Sequence, residues 1–233
     1  MCPRASPVGL SPVYPILNVT DNRPGQQIDE RTLVKRAAEL ASCGCTRIQL
    51  RAKDLSASRF VELAVALAVR LKATPATLIV NDRVDIAIAA TRISGTAVGV
   101  HLGQDDLPIA QARALLGPAA AIGLSTHDVE QVSTAATESV NYIGFGPIFE
   151  SLTKAGVGRA RGTKTLARAC QAARIPVVAI GRIDITRARE VFNAGAASVA
   201  LIHELQTARD TVALVRRYHE LFYSLRGERS PQG

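Results

Sequence analysis

Short apolar runs alternate with amphipathic stretches along almost the whole chain. The runs Val13–Thr20, Arg47–Arg51, Thr77–Val80, Val98–Leu102, Ala121–Ser125, Tyr142–Phe149, Val177–Ile180 and Val199–Ile202 predict eight strands. Apolar residues at helical spacing predict helices near 31–43, 57–72, 83–90, 107–116, 128–137, 164–173, 185–194 and 206–224. Eight strand–helix units in one domain-sized chain predict an α/β fold, a single (β/α)8 TIM barrel over residues 13–225. Residues 1–12, rich in Pro and Ser, read as a flexible leader, residues 226–233 as a flexible tail, and Arg92–Thr96 as a small surface insertion.

Alternation alone does not separate a closed barrel from an open doubly wound sheet. Two features favour the barrel. No GxGxxG follows the first strand, and polar residues recur at or just beyond the C-terminal ends of almost every strand, where barrel enzymes carry their active sites.

The 233 residues suit one such unit, and 47% hydrophobic residues with 4% aromatics and no Trp match aliphatic helices packed on buried strands. A formal charge of +8 raises the question of nucleic acid, but the basic residues are scattered and not interleaved with aromatics, which argues against it. Cys2, Cys43, Cys45 and Cys170 lack a paired CxxC spacing, and no secretory-type leader is read. They are expected to be structural or incidental thiols of a reducing, cytoplasmic compartment. No apolar stretch is long and uncharged enough to span a bilayer.

Candidate chemistry begins on the second strand. Its period-2 spacing puts Gln49, Arg51 and Lys53 on one face, and paired cations there suit an anionic ligand such as phosphate. Asn81 and Asp82 close the third run, and His101-Leu-Gly-Gln-Asp-Asp106 follows the fourth. Asp82 with Asp106, or equally Asp105, would suffice for Mg²⁺ that keeps waters and substrate phosphate as its other ligands; alternatively the two aspartates only begin a helix. Ser125 and Thr126 are either site hydroxyls or helix caps, His127 a wall residue, and His101 a hydrogen-bonded histidine at a strand end. The segment Gly144–Lys154 brings glycines, hydroxyls and a lysine together, and the Gly-rich, basic loop 155–162 suits a lid over phosphate. A second anion site is expected near Gly181 and His203, because loops after strands seven and eight often form a barrel's phosphate cup.

In order, Gln49-Leu-Arg-Ala-Lys53, Asn81-Asp82, His101–Asp106, Gly144–Phe149, Thr153-Lys154 and Val178–Gly181 resemble the thiamine-phosphate synthase family, over about Tyr14 to Leu205. The resemblance implies a Mg²⁺-dependent transferase that joins a hydroxymethylpyrimidine diphosphate to a thiazole phosphate and releases pyrophosphate. It implies that Gln49, Leu50, Arg51, Ala52, Lys53, Asn81, Ser125 and Lys154 bind the pyrimidine diphosphate, with Arg51, Lys53, Ser125 and Lys154 serving catalysis. Asp82 and Asp106 would hold Mg²⁺. Ser151, Leu152 and Thr153 would face the thiazole, whose phosphate would meet Gly181, Arg182, Ile202 and His203.

The chain departs from the resembled pattern on the thiazole side. Arg182 stands where a second glycine is usual, His203 where a serine is usual, and Glu150 where a proline is usual. A thiazole tautomerase or a non-catalytic binding paralogue are the competing readings; the first has no reason to keep the metal-diphosphate residues. The partners expected are small molecules, and monomer or homo-oligomer stays open.

Overall fold

The computed structural model describes residues 9–19, 29–150 and 159–228. Its strands are β1 (Val13–Asn18), β2 (Arg47–Arg51), β3 (Thr77–Asn81), β4 (Gly99–Leu102), β5 (Ile122–Thr126), β6 (Tyr142–Phe145), β7 (Val177–Ala179) and β8 (Ser198–Leu201). Each pairs in parallel with the next, and β8 pairs with β1, so the sheet closes as a barrel. The open-sheet alternative is thereby removed.

The helices among the described residues are α1 (Glu30–Ser42), α2 (Ala57–Leu71), α3 (Val84–Ser94), α4 (Ile109–Leu116), α5 (Val129–Ala135), α6 (Gly162–Ala172), α7 (Ile185–Asn193), α8 (His203–Thr207) and α9 (Thr211–Leu225). Aspartates set several of their starts. Asp29, Asp128, Asp184 and Asp210 each accept a backbone N–H at the first turn of α1, α5, α7 and α9. Asp128 therefore does the capping that Ser125 or Thr126 was considered for, and both of those residues belong to β5.

The sheet buries one aliphatic layer against the helices, including Leu50, Leu63, Leu67, Ile143 and Val199. A smaller cluster of Tyr14, Ile16, Tyr142, Val178 and Ala200 fills the barrel's interior. Two apolar surfaces, one inside and one outside, are what a closed sheet of alternating side chains requires.

Several boundaries differ from expectation. The last predicted helix is two, α8 and α9, separated where Asp210 caps the second. The third helix continues through Ser94 to a left-handed Gly95, so the expected surface insertion at Arg92–Thr96 is mostly a helix end. Strand β6 stops at Phe145, four residues early, before Gly146 and Pro147; proline has no N–H for a ladder. The leader's described end is fixed: Ser11 N–H donates to Thr46 Oγ1 at 3.0 Å, and the Gly9 carbonyl accepts from Thr46 and Arg47. Residues 226–228 continue from α9, with the Glu228 N–H bonded to the Tyr223 carbonyl at 3.0 Å.

Candidate active site

A cavity of about 590 Å³ opens at the C-terminal ends of the strands. Alternation along β2 decides what reaches it. Gln49, Arg51 and the following Lys53 line the cavity, whereas Leu50 and Ala52 are buried in the outer core. The expectation that Leu50 and Ala52 belong to the ligand-contacting set is corrected to that extent: their side chains point to the helices.

Arg51 is held by a residue that sequence reasoning missed. Its Nη1 donates to Asn18 Oδ1 at 2.7 Å, and Asn18 is paired with it in the β1–β2 register. The available signal was the polar residue closing the first apolar run, the same position that Asn81 takes on β3.

Lys53 Nζ lies 3.3 Å from Asp82 Oδ2. Asp82 follows β3 with a positive φ of 64°, a backbone conformation that Asp tolerates better than bulky residues and that concentrates at functional sites. Burial raises its carboxyl above the usual range, the neighbouring Asp106 charge raises it further, and Lys53 opposes both. Asp106, and not Asp105, is thus the carboxylate set against Asp82, although all three line the cavity. Asp106 Oδ2 accepts the Gly103 N–H at 2.6 Å, which fixes it in the loop after β4. Neither aspartate caps α4, whose N-cap is Pro108.

Asn81, Ser125, His101 and His127 are further polar residues of this cavity's wall. Ser125 Oγ is 2.9 Å from His101 Nε2, and His101 Nδ1 is 3.2 Å from the Tyr142 hydroxyl. Burial pushes the His101 imidazole down to about 4, so it is neutral at neutral pH. His127 Nδ1 is 2.8 Å from the Gly146 carbonyl, the wall role expected of it. Gln104, named in its motif but not as a site residue, donates to the Ser125 carbonyl at 2.6 Å.

A second cavity of about 410 Å³ is lined by Gly181, Arg182, Ile202 and His203, together with Asp184, Arg187 and Glu204. Ile180, Ala200 and Ile202 line both cavities and so form their common wall. Gly181 has φ 118°, and a Cβ there would come within 2.7 Å of the Ile148 nitrogen. Arg182 is exposed with φ 49°, and its carbonyl accepts from Arg187, whose guanidinium also lies 4.8 Å from the Phe149 ring centre. Arg187 is a cation of this cavity that sequence reasoning missed. Ser151, Leu152, Thr153 and Lys154 lie outside the described residues, as does the first half of the loop 155–162.

A closed barrel with cations, carboxylates and hydroxyls gathered at the C-terminal strand ends defines a barrel enzyme equipped for anionic ligands. Residues 16–205 match the thiamine monophosphate synthase family, and the chain belongs to it. It is 39% identical over 191 residues to the thiamine-phosphate synthase of Albidiferax ferrireducens, covering 82% of this chain and 85% of that one. It is 37% identical over 210 residues to that of Roseiflexus castenholzii, covering 90% and 87%. Among solved structures, the thiamine phosphate pyrophosphorylase of Pyrococcus furiosus superposes with a TM-score of 0.74 at 29% identity, covering 91% of this chain and 96% of that one. The chain is accordingly an enzyme, a transferase.

Proposed function

We propose that this chain joins 4-amino-2-methyl-5-hydroxymethylpyrimidine diphosphate to a thiazole phosphate, giving thiamine phosphate and pyrophosphate. The observation that carries the reading is the meeting of Gln49, Arg51, Lys53, Asp82, Asp106 and Ser125 in one cavity that shares a wall with a second. Two adjoining compartments suit two heterocycles that must react with each other.

The pyrimidine diphosphate occupies the larger cavity, with its diphosphate at Arg51 and Lys53 and its ring towards Gln49, Asn81 and Ser125. Lys154 serves the same diphosphate by resemblance. When the methylene carbon–oxygen bond breaks, the electron pair leaves with the pyrophosphate and positive charge is left on the pyrimidine methylene carbon, delocalised by the amino-substituted ring. Arg51 and Lys53 stabilise the negative charge building on the leaving group. The thiazole nitrogen then gives its lone pair to form the new carbon–nitrogen bond. The thiazole lies over the common wall, with its phosphate near Gly181, Arg182, Ile202 and His203, and Ser151, Leu152 and Thr153 serve it by resemblance. Holding nitrogen and carbon within reach of each other lowers the entropic barrier, and no protein nucleophile is required.

The acidic pair fits Mg²⁺. Its donors are all oxygen, the neighbouring Asp106 charge disfavours ionisation of Asp82, and an added cation relieves that repulsion. Asp82 and Asp106 would hold the ion, which when bound would supply positive charge beside the diphosphate.

The test is a coupling assay with purified chain, Mg²⁺ and both substrates. Equal amounts of thiamine phosphate and pyrophosphate are expected. Binding of the thiazole phosphate without any product would instead favour the tautomerase or paralogue reading.

A further inference from the structure

A line of five polar side chains crosses the floor of the larger cavity. The Gln49 amide donates to the Tyr14 hydroxyl at 3.3 Å, the Tyr14 and Tyr142 hydroxyls are 2.6 Å apart, and Tyr142 leads through His101 to Ser125. Tyr14 and Tyr142 are each at most 2% exposed, so their hydroxyl hydrogens must find acceptors within the protein.

The direction of this line follows from counting hydrogens. A hydroxyl has one hydrogen, and an amide nitrogen only donates. With Gln49 donating to Tyr14, the Tyr14 hydrogen goes to Tyr142 and the Tyr142 hydrogen to His101 Nδ1. A neutral imidazole that accepts at Nδ1 carries its proton on Nε2, and that proton goes to Ser125 Oγ. With Gln49 as donor at one end, reversing any later link alone would leave a buried hydroxyl hydrogen without an acceptor or the imidazole without its one proton. Ser125 therefore receives from the protein and keeps its own O–H for the cavity. Gln49, with one N–H engaged, keeps its carbonyl oxygen and its second N–H for the cavity.

The neighbouring strands are shaped around the same rings. A Cβ on Gly123 would lie 2.2 Å from Tyr142 Cζ and 2.5 Å from His101 Nδ1, and one on Gly144 would lie 3.2 Å from His101 Cε1. Two strands that present no side chain at these points leave the room in which the stacked His101 and Tyr142 rings lie, 5.5 Å between centres.

We propose that Tyr14, Tyr142 and His101 are positioning residues that fix Ser125 as a hydrogen-bond donor and Gln49 as an acceptor for the ligand's heterocycle. An aminopyrimidine matches that pair: its exocyclic N–H donates to Gln49 and a ring nitrogen lone pair accepts from Ser125. The choice of ligand rests on the synthase reading; the donor direction rests on the orientation of the Gln49 amide towards Tyr14.

Ring ¹⁵N shifts of His101 in the wild-type protein are expected to show the proton on Nε2; a proton on Nδ1 overturns the proposal. Tyr142→Phe, which removes only a hydroxyl, is expected to give a mixture of tautomers and a raised KM for the pyrimidine diphosphate, and an unchanged tautomer with unchanged KM counts against it. His101→Asn and Ser125→Ala should each raise that KM roughly tenfold, the worth of one buried hydrogen bond. The double variant should be no worse than the poorer single one, and His101→Gln, whose amide nitrogen can take the Nε2 position, should recover most of the loss. Fully additive losses would overturn the coupling. Wild-type turnover in the same assay separates the two questions: without product the synthase reading fails, while the tautomer measurement still decides the direction of the line.

Discussion

Lys53 and Asp82 close neighbouring strand ends with an ion pair of 3.3 Å, directly beside the second carboxylate, Asp106. Lys53 is 55% exposed, so the pair adds little to stability, about 0–1 kcal/mol for a solvent-screened bridge. Its location at the cavity points to use and not to folding.

Lys53→Ala and Asp82→Asn should therefore keep the barrel while damaging turnover. Loss of one charge-stabilising group is expected to lower kcat/KM by roughly a hundredfold or more. Asparagine also tolerates the positive φ at position 82. Thermal unfolding alongside the coupling assay checks both halves; near-normal turnover in both variants would remove these residues from the active site.

The barrel was legible because each strand is a compact apolar run and because Gln49, Arg51 and Lys53 repeat at the period of an extended chain. Alternation also placed Leu50 and Ala52 outside, although motif resemblance had included them. What pattern could not show is contact made by closure. Tyr14 and Tyr142 are 128 positions apart and touch only because β1 and β6 face each other across a closed ring. The division of the last helix was hidden for a local reason: its apolar period continues across Ala208–Asp210, and only the Asp210 cap marks the break.

Acid should destabilise the fold through two histidines. Burial lowers His101 and His219 from 6.5 to about 4 in the folded chain. Between these values the unfolded chain binds protons that the folded chain does not, so stability is full above pH 6.5 and falls as pH drops towards 4. His219, on α9 away from both cavities, allows the effect to be isolated. In urea titrations, His219→Gln is expected to flatten the pH dependence in this window by roughly a few kcal/mol. An unchanged slope would show that His219 titrates normally.

Arg182→Gly tests the departure on the thiazole side. A glycine relieves the positive φ of 49°, so stability should hold or rise by about 1 kcal/mol. The guanidinium lines the second cavity, and its loss should raise the KM for the thiazole phosphate several-fold with little change in kcat. A lowered KM would instead mark Arg182 as an obstruction to the backbone approach that glycine permits.

Asn18 gives the sharpest test of how Arg51, the proposed diphosphate ligand, is oriented. Its amide oxygen accepts from Arg51 Nη1 at 2.7 Å across the β1–β2 pairing, so it limits the guanidinium's rotation without carrying charge itself. Asn18→Ala leaves Arg51 charged but free to swing, and the expected result is a several-fold weaker pyrimidine diphosphate, about 1 kcal/mol for one lost hydrogen bond. Arg51→Ala should be far more damaging, because charge and geometry are lost together. Adding Asn18→Ala to Arg51→Ala should then cost nothing further, since the asparagine has no remaining partner to orient. Calorimetric titration of the pyrimidine diphosphate into the three variants reads this directly, and a further drop in the double variant would mean that Asn18 contacts the ligand itself.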